Sequence, residues 1–357
     1  MKGVILAAGQ GTRLRPVTLT MPKPLVPVAN KALIVYAIDV LKMAGLRDIG
    51  IVVNSLESPI VEMLGQGVNL GVNLQFIVQE QQRGLAHAIG LCQDFVGDEP
   101  FCVYLGDNIF QDKMTDLLRN FPESDAESTV VLGEVTDPTR FGIAEVQDGR
   151  IVRLIEKPKE PPSNLAIAGV YLLRKSIFEA IARIEPSWRN ELEITDALQE
   201  LVTASHNMVP YTLHGWWIDA GKPDAIVLAN QLVLEDLPYT SPPEDGGMII
   251  GKSEVSHRVL VGENSQIIDS VVRGPVIIGS NTIVRNSYIG PYTSLGDNVL
   301  IEGSEIEASI VMRNCIIRDI PGRVDRSLLA DNSHVTSATR MPVAHRFVLA
   351  ENSYVQF

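Results

Sequence analysis

Residues 3–14 read GVILAAGQGTRL, an apolar run that passes directly into a loop containing Gly9 and Gly11. The run at 3–8 is typical of a strand buried on both faces of a parallel sheet. The two glycines let the backbone approach a ligand closely and turn its N–H groups toward that ligand. A buried strand followed by such a loop predicts a phosphate-binding turn in an α/β sheet.

The same alternation of strand and helix continues through the first two thirds of the chain. A helical pattern at 32–44 ends at Gly45, a residue typical of helix C-termini. Asp148-Gly149 predicts a hairpin, and strands crowd together from residue 128 onward. The predicted strands are 49–53, 74–78, 101–105, 130–134, 142–146, 151–156 and 166–173. We therefore expect an α/β, Rossmann-like domain with a mixed, mainly parallel sheet.

The hydrophobic pattern changes near residue 237. Residues 237–247, LPYTSPPEDGG, are rich in proline, glycine and acid and are interpreted as a linker. After them aliphatic residues recur every six positions, as at Ile289, Leu295 and Ile301, and glycine follows the first two. This period is typical of a left-handed parallel β-helix of hexapeptide repeats, with an irregular β-sandwich as the alternative. The expected divisions are a first domain at 1–236, a linker at 237–247 and a β-helix domain at 248–357, with about four coils in residues 249–320.

Composition limits the classes of function. The 357 residues suit two domains, and 45% hydrophobic with 20% charged residues is an ordinary globular composition. A net charge of −13 argues against a broad nucleic-acid surface. The cysteines Cys92, Cys102 and Cys315 are too scattered for a disulfide framework or a zinc site and fit a reducing cytoplasm. With no long apolar stretch and no room for a signal peptide before the first strand, we expect a cytoplasmic protein without a membrane partner.

The loop after the first strand can be compared with known phosphate-binding patterns. The P-loop pattern is absent, and the dinucleotide pattern fails because Leu14 stands where its third glycine belongs. Arg13 follows the second glycine, and Lys23 is held between Pro22 and Pro24. A tight turn with two solvated cations is the alternative interpretation. A cationic anion site is favoured because a turn alone needs neither the arginine nor the proline-flanked lysine.

Residues 6–16, LAAGQGTRLRP, together with 21–25, MPKPL, resemble the signature of the sugar-1-phosphate nucleotidyltransferases. With the β-helix tail, the whole chain is most similar to the long form of the glucose-1-phosphate thymidylyltransferases. The resemblance implies that Arg13 contacts the β- and γ-phosphates of a nucleoside triphosphate and that Lys23 stabilises the transferring phosphate. It also implies nucleotide contacts along the loop, from Leu6, Ala8, Gly9, Gly11 and Thr12. Many members of the thymidylyl branch have glycine where this chain has Ala8.

Two acids follow short apolar runs, Asp107 in LGDN and Asp219 in WIDAG. An acid at the carboxyl end of a central parallel strand points into the crevice where α/β proteins bind ligands, whereas a turn aspartate is the alternative. The resemblance implies that both acids hold Mg²⁺ between the triphosphate and the sugar phosphate. Two carboxylates with phosphate and water oxygens suit this ion. Ala220 stands where the thymidylyl branch usually has threonine.

Residues 79–87, QEQQRGLAH, end a strand and open a helix. In the family this segment lies against the nucleobase, which implies that Gln79 and the backbone of Gly84 read the edge of the base. A polar loop before a helical turn is the alternative. As a lone histidine, His87 is interpreted as structural, facing solvent or a helix neighbour.

Further segments resemble the sugar-phosphate site of the family, notably TRFG at 139–142, EKP at 156–158 and ELEITD at 191–196. Lys157 precedes a proline, which restricts its backbone, and an exposed loop lysine is the alternative. Thr195 is a possible helix N-cap. The implied sugar-phosphate residues are Leu85, Gly142, Glu156, Lys157, Gly169, Glu193 and Trp217, with Lys157 also among the catalytic residues Arg13, Lys23, Asp107 and Asp219.

These observations predict an Mg²⁺-dependent transfer of a nucleotidyl group, as dTMP from dTTP, to glucose 1-phosphate. Other sugar nucleotides, such as UDP-glucose or GDP-mannose, remain open as products. A bifunctional enzyme with an acyltransferase β-helix is a second alternative, for which His257, His334 and His345 are available as bases. A non-catalytic regulatory subunit is a third. By resemblance, the β-helix is expected to support a homo-oligomer, and no nucleic-acid partner is expected.

Overall fold

The structure is a computed structural model and describes residues 1–241 and 248–337. The chain divides into two compact units. The first comprises Met1–Gln10, Pro22–Leu25 and Leu33–Asp219, and the second comprises Gly11–Met21, Val26–Ala32 and the residues from Ala220 onward. Of the predicted linker, residues 242–247 lie outside the described part, as do residues 338–357 of the predicted β-helix domain.

A mixed sheet forms the centre of the first unit, with nine strands among the described residues. The chain's first strand, Lys2–Leu6, lies between two parallel neighbours, Phe101–Leu105 and Asp48–Val53. Its apolar run is buried on both faces, since Val4 and Ile5 are both 0% exposed. In order across the sheet, seven of the strands are Arg150–Glu156, Gly142–Gln147, Leu165–Leu173, Phe101–Leu105, Lys2–Leu6, Asp48–Val53 and Asn73–Val78. The other two strands lie outside this order: Ser128–Glu134 pairs with Leu165–Leu173 and with Met208–Thr212. The predicted α/β class with a mixed sheet is therefore confirmed.

Antiparallel pairing enters the sheet where the sequence predicts crowded strands. Leu165–Leu173 pairs antiparallel with Phe101–Leu105 on one side and with Ser128–Glu134 on the other. The predicted hairpin joins Gly142–Gln147 to Arg150–Glu156. Asp148 and Gly149 both have positive φ, 48° and 74°, as a two-residue hairpin turn requires.

The helices of the first unit pack apolar residues against the sheet and against each other. In the first helix, Leu33–Met43, Leu33, Ile34 and Leu41 are 0% exposed. A second helix, Pro59–Leu64, begins after Ser58, whose hydroxyl accepts a hydrogen bond from the Ile60 N–H. The other helices are Leu85–Gly90, Gln93–Val96, Thr115–Asn120, Ser176–Arg183 and Ile194–Thr203. No helix among the described residues is long and apolar enough to cross a membrane.

A separate two-stranded pairing, Asn108–Phe110 with Trp217–Asp219, follows the central strand Phe101–Leu105. The pair is antiparallel and sets Asp219 opposite Asn108. Because Asn108 directly follows Asp107, this register brings together two acids that are more than 100 residues apart in the chain.

The second unit contains three ladders of short parallel strands that form a left-handed parallel β-helix. Aliphatic residues stack in its core, so that Ile267 pairs with Val284 and Val284 with Ile301, all three 0% exposed. Strands of the first ladder begin at residues 249, 266, 283, 300, 316 and 334, so that residues 249–320 hold the expected four coils and a further coil follows them in the described part of the chain. The strands of the three ladders are Ile249–Ile250, Gln266–Ile268, Ile283–Arg285, Leu300–Glu302, Ile316–Arg318 and His334–Thr336; Glu254–Val255, Val271–Val272, Tyr288–Ile289, Glu305–Glu307 and Arg323–Asp325; and Val259–Val261, Val276–Ile278, Thr293–Leu295, Ile310–Val311 and Leu328–Leu329.

Helix Pro223–Glu235 and the short strands Pro27–Val28 and Lys31–Ala32 belong to the same unit as the β-helix. Asn230 on this helix is 0% exposed, and its Oδ1 accepts from the Ala29 N–H at 2.8 Å and the Ser294 hydroxyl at 2.7 Å. Its Nδ2 donates to the Tyr292 carbonyl at 3.0 Å. A single buried amide therefore ties the helix and the short strands to the β-helix.

Candidate active site

A cavity of about 230 Å³ opens in the first unit where the loops after the central strands meet. The loop after Lys2–Leu6 forms one wall, and the segment that follows Asn73–Val78 forms another. Eight of the residues predicted from the sequence line this cavity, namely Leu6, Ala8, Gly9, Lys23, Gln79, Gly84, Leu85 and Asp107. Residues from distant motifs therefore meet at one place, at the carboxyl edge of the parallel strands, as α/β ligand sites do.

Lys23 joins the two predicted acids. Its Nζ contacts Asp107 Oδ2 and lies 3.5 Å from Asp219 Oδ1. The lysine side chain is 8% exposed, whereas the two carboxylates are 31% and 30% exposed. Burial of an ammonium group is costly unless it is paired, and here the two carboxylates provide the pairing. Two partly exposed carboxylates therefore share the ammonium group of Lys23.

The turn that carries Lys23 and the neighbours of Asp107 hold this group in place. Lys23–Leu25 forms a short 3-10 helix that follows Pro22 and contains Pro24. Asn108, 3% exposed, donates from Nδ2 to Asp107 Oδ1 at 2.8 Å and accepts at Oδ1 from Trp217 Nε1 at 2.6 Å. Sequence reasoning missed the role of Asn108, although its position directly after the acid is a signal that could have found it.

The other end of the cavity is built around Gln79. This side chain is 4% exposed, and its Nε2 lies 3.2 Å from the Gly84 carbonyl oxygen and 3.0 Å from His87 Nδ1. Gly84 has φ 107°, and a Cβ there would lie 2.4 Å from the Leu192 carbonyl oxygen, so that only glycine fits. His87 is thus turned toward a residue of the candidate site.

A second group of charged residues gathers around Glu156. Lys157 Nζ lies 3.2 Å from Glu156 Oε1, and the Thr195 hydroxyl donates to Glu156 Oε2 at 2.7 Å. A Cβ at Gly142 would lie 2.8 Å from the Thr195 hydroxyl oxygen and 3.0 Å from Glu156 Oε2. Glycine is therefore required for the strand to pass this close to the carboxylate.

The backbone at Lys157 is strained. Its φ is 42°, in the left-handed region, although the next residue is proline. Its N–H donates to the Phe141 carbonyl at 3.0 Å, which ties this loop to the strand that begins at Gly142. A non-glycine residue in this conformation is typical of positions that bind ligands.

Arg189 is a cation of this group that sequence reasoning missed. Its guanidinium lies 2.9 Å from Glu191, 3.2 Å from Glu193 and 3.7 Å from Glu156. Burial raises the pKa of the Glu193 carboxyl, with a smaller contribution from the negative charge of Glu156, while Ser187 and Arg189 act in the opposite direction. The signal in the sequence was an arginine two residues before the ELEITD segment, but such an arginine also resembles an ordinary surface cation.

The prediction that Thr195 is a helix N-cap is wrong. The helix Ile194–Thr203 begins one residue earlier, and Glu193 occupies the N-cap position without a side-chain capping bond. Thr195 lies in the first turn, 2% exposed, where its hydroxyl is used by Glu156.

The remaining predicted residues fall into two sets. Gly169 lies against Leu105 and Asn108, and Trp217 stacks on Phe110 with ring centroids 6.3 Å apart. Gly11, Thr12 and Arg13 instead belong to the second unit, where Thr12–Leu14 forms a 3-10 turn and Arg13 is exposed.

The histidines considered for an acyltransferase do not form a cluster in the described residues. His257 stacks on Tyr239 with centroids 4.4 Å apart, and His334 is exposed on the last described coil. His345 lies outside the described residues. No group of three or more histidine, cysteine or acidic residues that could hold a metal occurs in residues 1–241 and 248–337. A cation at the Asp107 and Asp219 carboxylates would therefore take most of its ligands from substrate and water.

The comparisons with known proteins agree with this geometry. Residues 2–236 match the family described as nucleotidyl transferase. The chain is 44% identical to the low-salt glycan biosynthesis nucleotidyltransferase Agl11 of Haloferax volcanii over the full length of both proteins. It is 42% identical to a glucose-1-phosphate thymidylyltransferase of Streptomyces griseus, covering 100% of this chain and 99% of the relative.

A solved structure shows a similar fold over two thirds of the chain. A crystal structure from Bacillus anthracis, assigned as a glucose-1-phosphate thymidylyltransferase in complex with sucrose, superposes with a TM-score of 0.62 at 39% identity. The match covers 67% of this chain and 97% of that one. With a cavity at the carboxyl edge of a mixed sheet, a lysine bridging two acids, and relatives matched over their whole length, this chain belongs to the nucleotidyl transferase family and is a nucleotidyltransferase.

Proposed function

We propose that this enzyme transfers dTMP from dTTP to glucose 1-phosphate, giving dTDP-glucose and pyrophosphate. The observation that carries the proposal is the group formed by Lys23, Asp107 and Asp219 beside a cavity of about 230 Å³. Two relatives of nearly the full length of this chain that carry the name glucose-1-phosphate thymidylyltransferase, at 42% and 40% identity, support the choice of substrates.

The reaction is an in-line displacement at the α-phosphorus. A phosphate oxygen of glucose 1-phosphate forms a bond to this phosphorus while the bond to the pyrophosphate oxygen breaks, and pyrophosphate leaves with the electron pair. The attacking oxygen is already anionic at neutral pH, so no general base is required. The difficulty is to bring two anions together, and preorganised cations meet this need.

The nucleotide is assigned to the cavity and its adjoining loop. Lys23 would contact the transferring phosphate, since its buried ammonium lies at the Asp107 end of the cavity. Arg13 is assigned to the β- and γ-phosphates on the basis of the resemblance alone. Gln79 and Gly84, which line the opposite wall, are assigned to the nucleobase. The remaining nucleotide contacts are assigned to Leu6, Ala8, Gly9, Gly11 and Thr12.

The sugar phosphate is assigned to the group around Glu156. Lys157 and Arg189 are cations that can bind its phosphate, and Glu156 and Glu193 are acceptors for sugar hydroxyls. Leu85 lines the cavity, and Trp217 packs on Phe110 beside Asn108. Gly142 and Gly169 leave room where a side chain would collide with Glu156 or Leu105.

The residues present fit a magnesium ion. Asp107 and Asp219 offer two hard oxygen donors that are about one third exposed and share the ammonium of Lys23. Mg²⁺ is commonly bound through one or two carboxylates with substrate phosphates and water completing its shell. When bound, the ion would neutralise charge on the phosphate oxygens. Asp107 and Asp219 are the residues that would hold it.

The test is a panel assay of pyrophosphate release. Purified enzyme with MgCl₂ is offered dTTP, UTP, GTP, ATP or CTP with glucose 1-phosphate, and then dTTP with other sugar 1-phosphates. The expected result is the highest kcat/KM for dTTP with glucose 1-phosphate. A higher kcat/KM for UTP or GTP would refute the assignment to thymidylyl transfer, and absence of release with every pair would refute transferase activity as proposed.

Three further assignments accompany this function. We place the catalytic domain at residues 1–236, followed by a linker at 237–247 and the β-helix domain at 248–357; the family match to residues 2–236 supports the first of these bounds. A homo-oligomer is expected through the β-helix, which sedimentation velocity measures directly. The reaction is assigned to the cytoplasm, consistent with Cys92, Cys102 and Cys315 being free, buried thiols.

A further inference from the structure

The Gln79 side chain contacts two hydrogen-bonding partners, the Gly84 carbonyl and the His87 ring. Its backbone N–H donates to the Val53 carbonyl at 2.8 Å, which fixes the residue at the end of its strand. Its amide nitrogen lies 3.2 Å from the Gly84 carbonyl oxygen and 3.0 Å from His87 Nδ1. Gly84 and His87 stand at the start of the short helix Leu85–Gly90, so that strand end and helix are linked through this amide.

The chemistry of these partners determines which way the amide points. A carbonyl oxygen can only accept, so the Gln79 atom facing Gly84 must be Nε2 and not Oε1. The second Nε2 hydrogen then points to His87 Nδ1, which must be unprotonated to accept it. Burial and the neighbouring charge of Arg83 both lower the pKa of His87, which favours this neutral form. Among the described residues, no side chain or backbone group donates to Gln79 Oε1.

We propose that His87 is a positioning residue that fixes the Gln79 amide so that Oε1 is its acceptor toward the bound base. This arrangement selects pyrimidines that carry a hydrogen on N3 over cytosine. The inference rests on the proposed function, because it takes the base to lie against Gln79. The role of His87 goes beyond the assignment of Gln79 and Gly84 to the nucleobase.

Selection between the bases depends on whether N3 carries a hydrogen. Thymine and uracil present an N3–H donor between two carbonyl oxygens, whereas cytosine presents N3 as an acceptor beside an amino group. An acceptor fixed at Gln79 can therefore bind N3–H but repels the cytosine N3. If the amide could turn over freely, its NH₂ group would bind cytosine N3 equally well, and the selection would be lost. Neutral His87 adds to the Gly84 carbonyl in opposing that rotation, because it accepts the second Nε2 hydrogen.

The test compares dUTP with dCTP, which share the sugar and differ at the N3 and C4 positions of the base. We expect the wild-type enzyme to prefer dUTP in kcat/KM by about tenfold or more, because dCTP loses one hydrogen bond and places two acceptors against each other. His87→Leu removes the acceptor and is expected to lower this preference by about three- to tenfold. His87→Asn is the matched control, because its Oδ1 can accept from Gln79 Nε2 and should retain the wild-type preference. Gln79→Met removes the amide and should bring the ratio close to one.

The change in the dUTP to dCTP ratio among the variants decides whether His87 positions Gln79. A dUTP to dCTP ratio unchanged in His87→Leu, or unchanged in Gln79→Met, overturns it. Equal losses of activity with both triphosphates in His87→Leu and His87→Asn also overturn it, since they indicate a structural role only. A ratio that falls in His87→Leu and is retained in His87→Asn supports it.

Calorimetric titration of the same proteins with dUTP and dCTP in MgCl₂ separates this inference from the proposed function. If glucose 1-phosphate gives no pyrophosphate release but the affinity ratio changes among the variants as described, the proposed function fails and the inference about the base stands. If the wild type releases pyrophosphate and binds dUTP and dCTP equally, the proposed reaction stands and the inference fails.

Discussion

Replacement of Lys23 by methionine tests the roles assigned to Lys23, Asp107 and Asp219. It is expected to lower kcat and to raise the affinity for Mg²⁺. Methionine keeps the length and the apolar packing of a side chain that is 8% exposed, but it removes the ammonium that contacts both carboxylates. If Lys23 stabilises the transferring phosphate, kcat falls by about 10²–10³. If the same two carboxylates hold the metal ion, Lys23 competes with that ion, and its removal tightens Mg²⁺ binding in the absence of substrate.

The expected gain in Mg²⁺ affinity can be estimated from the distances between the charges. Lys23 Nζ lies 3.5 Å from Asp219 Oδ1 and closer to Asp107, so a divalent ion on these oxygens would stand a few ångströms from the ammonium. A +1 and a +2 charge about 4 Å apart repel by roughly 2 kcal/mol at the dielectric of water and roughly 8 kcal/mol at an effective value of about 20. Both carboxylates are about 30% exposed, and the lysine can move aside, so the lower figure applies. We therefore expect Mg²⁺ to bind at least about tenfold more tightly to Lys23→Met.

Calorimetric titration of the apo proteins with MgCl₂ measures this affinity, and pyrophosphate release at saturating substrates measures kcat. Asp219→Asn is the control that should lose affinity for Mg²⁺ and turnover together. The reasoning would be refuted by a Lys23→Met enzyme that binds Mg²⁺ no more tightly than the wild type. Wild-type kcat in the same variant would refute the catalytic assignment separately.

Three further predictions concern other parts of the molecule. Lys157→Ala should raise KM for glucose 1-phosphate by about tenfold or more with little change in KM for dTTP, whereas Lys159→Ala, an exposed lysine in the same loop, should change neither in steady-state assays. Asn230→Ala should lower the free energy of unfolding of its unit by about 2–4 kcal/mol in urea, because three buried polar groups lose their partner, and a loss under 1 kcal/mol would contradict this. The dUTP over dCTP preference should be constant above pH 6.5, the ordinary value for histidine, and should decrease at more acidic pH, because the lowered pKa of His87 keeps Nδ1 unprotonated until then. His87→Asn should show no such decrease, and a wild-type preference that already decreases above pH 6.5 would contradict the assignment.

The strand segments along the chain and the candidate acids could be predicted from the sequence because each depends on a local pattern. The buried run at 3–8 and the acid at Asp107 are both local signals. The meeting of Asp107 with Asp219 is different, because it depends on an antiparallel pairing between strands more than 100 residues apart. Only the resemblance to a family joined the two acids before the structure did.

The wrong prediction for Thr195 and the contacts that the sequence did not reveal all depend on tertiary packing. Thr195 has the residue type of an N-cap, but its hydroxyl is committed to Glu156, a contact that depends on tertiary packing. Arg189 resembled an ordinary surface cation because its three acidic neighbours come together only in the folded chain. The contact of the His87 ring with Gln79 is of the same kind, because nothing in the local sequence indicates that the ring reaches across the turn.

The local charges explain how a chain with a net charge of −13 can serve two anionic substrates. Around Lys23, two carboxylates face one ammonium, and the formal charge is −1. Around Arg189, three glutamates face the guanidinium and Lys157, which again gives −1 when all of them are ionised. A divalent cation at the first group would change its charge to +1. Affinity for the triphosphate should therefore depend on the divalent ion more steeply than affinity for the sugar phosphate, because the ion reverses the sign of the charge at the nucleotide end of the site.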